Sequence, residues 1–222
     1  MTAIAAFRCA DGLVMSADTE ESYPDNKVYT FKLFPFERGG KRLCVAGSGI
    51  GYLIDYAKDQ IVSDLDSGLT NVVDFEKRLR VIMREVYKKD FNLYPVDRQS
   101  ERQIQLLVGV QFTDESNASS WLPPTLFECQ SNLVTVLTNP AQRGRILGAG
   151  ELLKETAVQF ANWGLNVELA ERASLYILYE AKRRLTGVGG KTHIFTMRND
   201  GTFEYYRGKH LREQEAVLYI RA

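Results

Sequence analysis

Histidine is scarce in this sequence of 222 residues, which contains only two. His193 and His210 lie apart along the chain, and neither has a cysteine beside it to complete a metal-binding pattern. The sequence places neither of them next to a serine or cysteine nucleophile, so a triad with a histidine base is not indicated. We expect no metal and no cofactor, and acid–base chemistry needs an amine from another source.

An excess of charge of one sign is also absent, because 28 basic residues balance 28 acidic ones. Proteins that hold a nucleic-acid backbone concentrate basic side chains on one surface. The densest basic cluster here, "AKRRL" at 181–185, lies at the end of a predicted helix, where basic side chains interact favourably with the helix dipole. Nucleic-acid binding is therefore not predicted.

Long apolar runs are missing, and cysteines are few. No stretch approaches the roughly 18 apolar residues of a membrane-spanning helix, and no basic and apolar leader precedes the first predicted strand. Cys9, Cys44 and Cys129 are odd in number and lie within apolar runs, which is typical of buried thiols in a reducing compartment. We expect a cytoplasmic protein that makes no contact with membranes.

Apolar periodicity predicts the order of strands and helices. At the N-terminus, "TAIAAFRC" and "LVMSAD" flank an Asp-Gly turn signal, which predicts a β-hairpin. A polar loop is predicted at 19–28 and another at 113–124. Further strands are predicted at 29–36, 42–49, 103–112, 125–130, 133–138, 191–197, 202–206 and 216–222. Helices are predicted at 50–66, around 75–86, and at 151–163 and 166–185.

Strands and helices therefore occur in separate runs, with two helices after each of the first two groups of strands. This order is typical of antiparallel sheets with segregated helices, and it argues against an alternating βαβ arrangement. We predict an α+β fold in which residues 1–222 form one domain with two facing sheets covered by helices.

The stretch "CVAGSGIGYLIDYAKDQI", at 44–61, passes from a strand through alternating glycines into a helix. A dinucleotide-binding fingerprint is a weak alternative, because Tyr52 occupies the place of its third glycine and another helix follows the first. The segment "LTGVGGKT" is a weaker phosphate-loop candidate still, because Leu185 stands where the first glycine belongs. Neither pattern predicts a nucleotide site.

Thr2 offers a different chemistry. A small second residue permits removal of Met1, which leaves a free α-amine beside the threonine hydroxyl. Such an amine has an ordinary pKa of about 7.7 to 8.0 and can act as the base for its own hydroxyl. We expect Met1 to be removed, although many chains begin with Met-Thr and the pattern alone is weak.

The motifs "ADGLVMSADT", "YTFKLF", "VAGSG" and "ILGAGE" together resemble the proteasome β-subunit type of N-terminal nucleophile (Ntn) hydrolases, including its simpler bacterial members. The resemblance covers nearly the whole chain. It implies a four-layer α/β/β/α sandwich and a threonine peptidase inside a self-compartmentalising homo-oligomeric ring. It also implies unfolded polypeptides or peptides as substrates, with an ATP-dependent unfoldase as a possible partner.

The same resemblance assigns roles to individual residues. It makes Thr2 the nucleophile, flanked by the Asp18 carboxylate and the Lys32 ammonium. An ammonium near the α-amine favours the neutral amine and the developing alkoxide. The backbone N–H of Gly47 then stabilises the oxyanion of the tetrahedral intermediate. Substrate-binding residues, which imply an apolar preference before the cleaved bond, are Val45, Gly49 and Leu53.

Several positions depart from the pattern of the family. A supporting serine falls on Ala149, and a supporting aspartate and serine fall on Leu185 and Val188. Glu20 stands in place of a basic residue. Because these polar supports are lost, the alternative interpretation is a catalytically silent ring subunit that keeps the fold.

Overall fold

The structure is a computed structural model of the chain. It describes residues 2–23, 26–65, 68–91, 104–130, 133–138, 144–148 and 151–207. Four helices are present in these ranges: α1 (Gly51–Leu65), α2 (Val72–Phe91), α3 (Glu151–Asn162) and α4 (Val167–Arg184).

The strands of the described ranges are listed here in chain order. They are β1 (Ile4–Arg8), β2 (Gly12–Asp18), β3 (Glu20–Tyr23), β4 (Asn26–Tyr29), β5 (Leu33–Arg38), β6 (Lys41–Gly49), β7 (Ile104–Asp114), β8 (Asn117–Trp121), β9 (Thr125–Gln130), β10 (Leu133–Val136), β11 (Gly144–Leu147), β12 (Thr192–Arg198) and β13 (Phe203–Arg207).

Two large antiparallel sheets organise these strands. The first has the order β11-β1-β2-β12-β13, and the second has the order β10-β9-β7-β6-β5. The predicted N-terminal hairpin is present, with Ile4 opposite Ala17 and Arg8 opposite Leu13. The mixed class of helices and antiparallel sheets is thereby confirmed.

Three apolar clusters fill the space around the sheets. Strand alternation divides β2 between two of them, because Val14 packs with residues of α3 and α4 whereas Leu13 and Met15 pack with the second sheet. A third cluster joins β6 and β7 to α1 and α2. The sheets approach closely at Gly109, where an added Cβ would overlap the Leu13 side chain.

Both predicted polar loops contain strands, so those two predictions are wrong. Residues Glu20–Tyr23 and Asn26–Tyr29 form the separate hairpin β3–β4, and Asn117–Trp121 pairs with the end of β7 as β8. Their sequences lack apolar alternation because these strands are held by backbone pairing and none of their described side chains belongs to the three apolar clusters. The predicted strand at 216–222 lies outside the described residues.

The prediction of buried cysteines is confirmed, since Cys9, Cys44 and Cys129 are buried and form no disulfide. Burial raises the pKa of the Cys44 and Cys129 thiols far above the usual range. Within the described ranges, no helix combines the length and the apolar character needed to cross a membrane.

Candidate active site

Asp18, the last residue of β2, holds a buried ion pair with Lys32. The Lys32 ammonium donates to both carboxylate oxygens at 3.0 Å, and the side chains are 5% and 0% exposed respectively. The ammonium also donates to the backbone carbonyl of Glu20. Lys32 immediately precedes β5, so its backbone is fixed by the strand that begins at Leu33.

Three backbone N–H groups hold the same carboxylate. Ala3 donates to Oδ1 at 2.8 Å, and Glu20 and Gly189 each donate to Oδ2 at 3.2 Å. These donors come from three different segments of the chain. They orient the Asp18 carboxylate and therefore the position of the Lys32 ammonium.

Thr2 lies two residues before the start of β1 and is half-buried. Its neighbour Ala3 is bound to Asp18 twice, through the bond to the carboxylate and through its carbonyl, which accepts from the Asp18 N–H at 3.1 Å. The structure thus brings Asp18 and Lys32 into contact. Thr2 precedes Ala3, the residue whose backbone is bonded to Asp18.

Gly47 lies on β6 where the pairing with β5 ends. The last matched pair is Leu33 with Ala46, so Lys32 and Gly47 follow on the two strands at the same end. In the described ranges, Gly47–Gly49 has no strand partner on the β5 side. An added Cβ at Gly47 would overlap the Ile54 side chain, which explains the glycine.

The three predicted substrate-binding residues have different environments. Val45 and Leu53 are buried in the apolar cluster shared with α1 and α2, at 0% and 5% exposure. Gly49 is exposed and has a φ of 121°, which favours glycine. A pocket formed by these residues stays a prediction.

Ser48 and Gly148 were missed by sequence reasoning. A Cβ built on Gly148 would overlap the Thr2 carbonyl and would lie 3.0 Å from Ser48 Oγ. Ser48 therefore faces the N-terminal threonine from the second sheet. The period-2 alternation of β6 carried a signal for Ser48, because Ala46, two residues earlier, faces the space between the sheets.

The positions that depart from the family pattern have different environments where the structure describes them. Val188 is buried in the cluster formed with α3 and α4, and Leu185 packs against that cluster. Ala149 lies outside the described residues. The Glu20 side chain is only 6% exposed and accepts from Lys27 at 2.8 Å.

Comparisons with known proteins give similarity in structure without similarity in sequence. No protein-family model matches the chain, and no curated protein matches it in sequence. A solved Anbu (Gly-1) mutant from Hyphomicrobium sp. strain MC1 aligns with a TM-score of 0.79 at 17% identity, over 100% of this chain and 94% of that one.

Two further solved structures agree. The Anbu complex from Pseudomonas aeruginosa, described as a helical assembly, has a TM-score of 0.76 at 18% identity, with 99% of this chain and 94% of that one covered. Anbu from Yersinia bercovieri, described as an ancestral beta-subunit, has a TM-score of 0.76 at 17% identity, with 99% and 96% covered. The chain therefore has the fold of these Anbu proteins.

This finding corrects the family expected from the sequence. The assignment to the proteasome β-subunit type of Ntn hydrolases is wrong, because these solved structures are Anbu proteins. The motifs that suggested it, such as "VAGSG", belong to the strands and turns that this fold requires, so they indicated the architecture more reliably than the family.

Proposed function

We propose that this chain is the subunit of a proteasome-like homo-oligomer. The observation that carries the proposal is the fold, which matches Anbu structures over nearly their full length. One of these structures is described as a helical assembly. We further propose a single domain over 1–222 with four layers, because the three apolar clusters alternate with the sheets and helices. The three cysteines form no disulfide, which supports a reducing compartment such as the cytoplasm.

The assembly is tested by light scattering of the purified chain at micromolar concentration. We expect a mass several times 25.2 kDa, and electron microscopy then distinguishes a closed ring from an open helix. Tyr52 is 54% exposed on α1 and is the side chain that we expect at a subunit contact. Tyr52→Glu should lower the mass, and a wild-type mass of 25.2 kDa would contradict the proposal.

A second proposal adds catalysis, with Thr2 as a peptidase nucleophile. It is favoured by the buried Lys32–Asp18 pair, which is bonded to residue 3 and thus lies beside the N-terminus. Once Met1 is removed, the α-amine takes the proton of the Thr2 hydroxyl, and the oxygen attacks a peptide carbonyl. The charge of Lys32 favours the neutral amine and stabilises the alkoxide.

The later steps follow from the same groups. The N–H of Gly47 stabilises the oxyanion, and loss of one such donor costs about 3 to 4 kcal/mol in related chemistry. The protonated α-amine gives its proton to the leaving amine of the peptide, and an ester with Thr2 remains. Water then hydrolyses the ester and restores the hydroxyl. Substrates are peptides or unfolded polypeptides, and an ATP-dependent unfoldase would supply the latter.

The experiment combines intact mass with a peptide assay. We expect Met1 to be absent, a threonine-directed electrophile to add once to the chain, and Thr2→Ala and Lys32→Ala each to abolish cleavage while the fold persists. Thr70→Ala, at an exposed position between α1 and α2, is the matched control and should keep full activity.

Two outcomes would decide against Thr2 as a peptidase nucleophile. Cleavage by the Thr2→Ala variant would show that another group attacks. Inertness of the wild type towards peptides and electrophiles, although Met1 is absent, would leave the silent subunit as the function.

A further inference from the structure

A cavity of about 680 Å³ opens beside the candidate active site, between the segment that follows β4 and the segment that enters β12. None of the predicted site residues lines it. Its lining residues are Thr19, Tyr29, Thr30, Phe31, Gly190, Lys191 and His193. The volume suits a ligand of the size of one or two peptide residues.

Aromatic rings form much of the wall. Tyr29 and Phe31 are 66% and 53% exposed, so their rings are accessible to a ligand in the cavity. The Phe31 ring lies 5.4 Å from the His193 ring, centroid to centroid. His193 is itself fixed by a 3.0 Å hydrogen bond between its Nδ1 and the Tyr205 hydroxyl. The cavity therefore has a rigid aromatic floor and an exposed aromatic rim.

Polar groups of the wall complement a peptide. Thr30 Oγ1 is buried and has no hydrogen-bond partner among the described residues, so a bound amide would satisfy it. The Thr19 hydroxyl, in contrast, already accepts from the Lys191 N–H at 2.9 Å.

The charge of the wall is positive. Lys191 is the one lysine, and no carboxylate is present among the lining residues. Glu20, whose carboxylate lies beside Gly189, is paired with Lys27 at 2.8 Å.

The distance from Thr2 to the cavity is one that a bound peptide of a few residues spans. Thr19 follows Asp18 directly, and Thr192 pairs with Asp18 across β2 and β12. From β1 to β12 there are two strand spacings, or about 10 Å, and an extended peptide covers roughly 3.3 Å per residue. A side chain about three residues from a bond held at Thr2 therefore reaches the cavity.

We propose that this cavity is a specificity site that selects a peptide with a large aromatic residue about three positions from the cleaved bond and an acidic residue next to it. The proposal rests on the peptidase function proposed for Thr2. The rings of Tyr29 and Phe31 bind the aromatic side chain, the Thr30 hydroxyl binds its amide, and the Lys191 ammonium attracts the acidic neighbour.

The test uses fluorogenic peptides that differ at one position only, scanned on both sides of the cleaved bond. We expect kcat/KM to be about tenfold higher for tryptophan than for alanine at the selected position, and we expect Phe31→Ala to remove this preference. Lys191→Glu should reverse a preference for aspartate over lysine at the neighbouring position. Trp163→Ala, which removes an exposed ring directly after α3, is the control and should leave both preferences unchanged.

The possible failures are distinguishable. If Thr2 is required for cleavage but Phe31→Ala, Tyr29→Ala and Lys191→Glu leave selectivity unchanged, the cavity proposal is wrong and the peptidase proposal stands. If no cleavage occurs, fluorescence polarisation with a labelled peptide containing Trp-Asp replaces the assay. Binding that Phe31→Ala abolishes supports a peptide site, and absence of binding overturns it.

Discussion

Asp18→Asn should destabilise the chain strongly, because it leaves a buried ammonium without its counter-ion. The Lys32 side chain is 5% exposed, and apart from Asp18 its ammonium donates to the Glu20 carbonyl. The new amide also turns an N–H₂ group towards backbone N–H donors of Ala3, Glu20 or Gly189. Breaking a buried pair from one side costs about 3 to 5 kcal/mol.

Lys32→Met should cost less, because the remaining carboxylate keeps three backbone donors. We expect about 1 to 3 kcal/mol for this change. In the double variant the uncompensated charge disappears, so its cost should be lower than the sum of the single costs by about 1 to 3 kcal/mol. The asymmetry follows from the hydrogen bonds alone and holds whether or not the site is catalytic.

Urea unfolding followed by circular dichroism measures these free energies. All variants are compared at one protein concentration, since assembly adds to apparent stability. Lys77→Met, which breaks the exposed pair with Asp74, is the control and should change stability by less than about 1 kcal/mol. A greater cost for Lys32→Met than for Asp18→Asn, or additive costs in the double variant, would refute the reasoning.

Two further predictions concern a glycine and two cysteines. Gly148→Ala should displace Thr2 and abolish any peptide cleavage, because it adds a Cβ against the Thr2 carbonyl at a φ of 71°. Gly68→Ala is the control, because Gly68 has a similar φ of 77° with open space around it, so the change carries only the backbone cost of about 1 to 2 kcal/mol. The Cys44 and Cys129 thiols should react with a disulfide reagent at pH 8 only after unfolding, because burial raises their pKa. Above about pH 8.5 the unfolded chain loses the protons of these thiols, whereas the folded chain keeps them. The free energy of unfolding should therefore fall as pH rises further, and Cys44→Ala should make that fall less steep. Rapid labelling of the native chain would contradict the burial of the thiols.

Elements with a strong apolar pattern were predictable from the sequence. The hairpin β1–β2 and the strand Lys41–Gly49 match their predictions because alternate residues of each enter different apolar clusters. The hairpin β3–β4 was not predictable in this way, because residues Asn26–Tyr29 are exposed and carry no alternation. Its pairing depends on backbone hydrogen bonds that most side chains permit.

The site was predictable only in part. Sequence motifs paired Asp18 with Lys32, and the structure brings them into contact. The meeting of Gly148 with Thr2 depends on the register between β1 and β11, where Ile4 lies opposite Leu147. The cavity likewise joins Thr19, Phe31 and His193 through the packing of two sheets. No local pattern encodes contacts between segments that lie so far apart in the sequence.

The apolar side chains of Leu185 and Val188 do not by themselves remove the candidate site. Both residues pack towards α3 and α4, whereas the contact from this segment to Asp18 is the backbone N–H of Gly189. A backbone donor is present whatever side chains surround it, so the orientation of the Asp18–Lys32 pair survives these replacements. The apolar side chains at these two positions supply no hydroxyl or carboxylate to position the α-amine, so we expect them to bear on the rate of the proposed proton transfer more than on the presence of the nucleophile. The proposed activity therefore depends first on whether Met1 is removed to leave the Thr2 amine, and intact mass measures that directly.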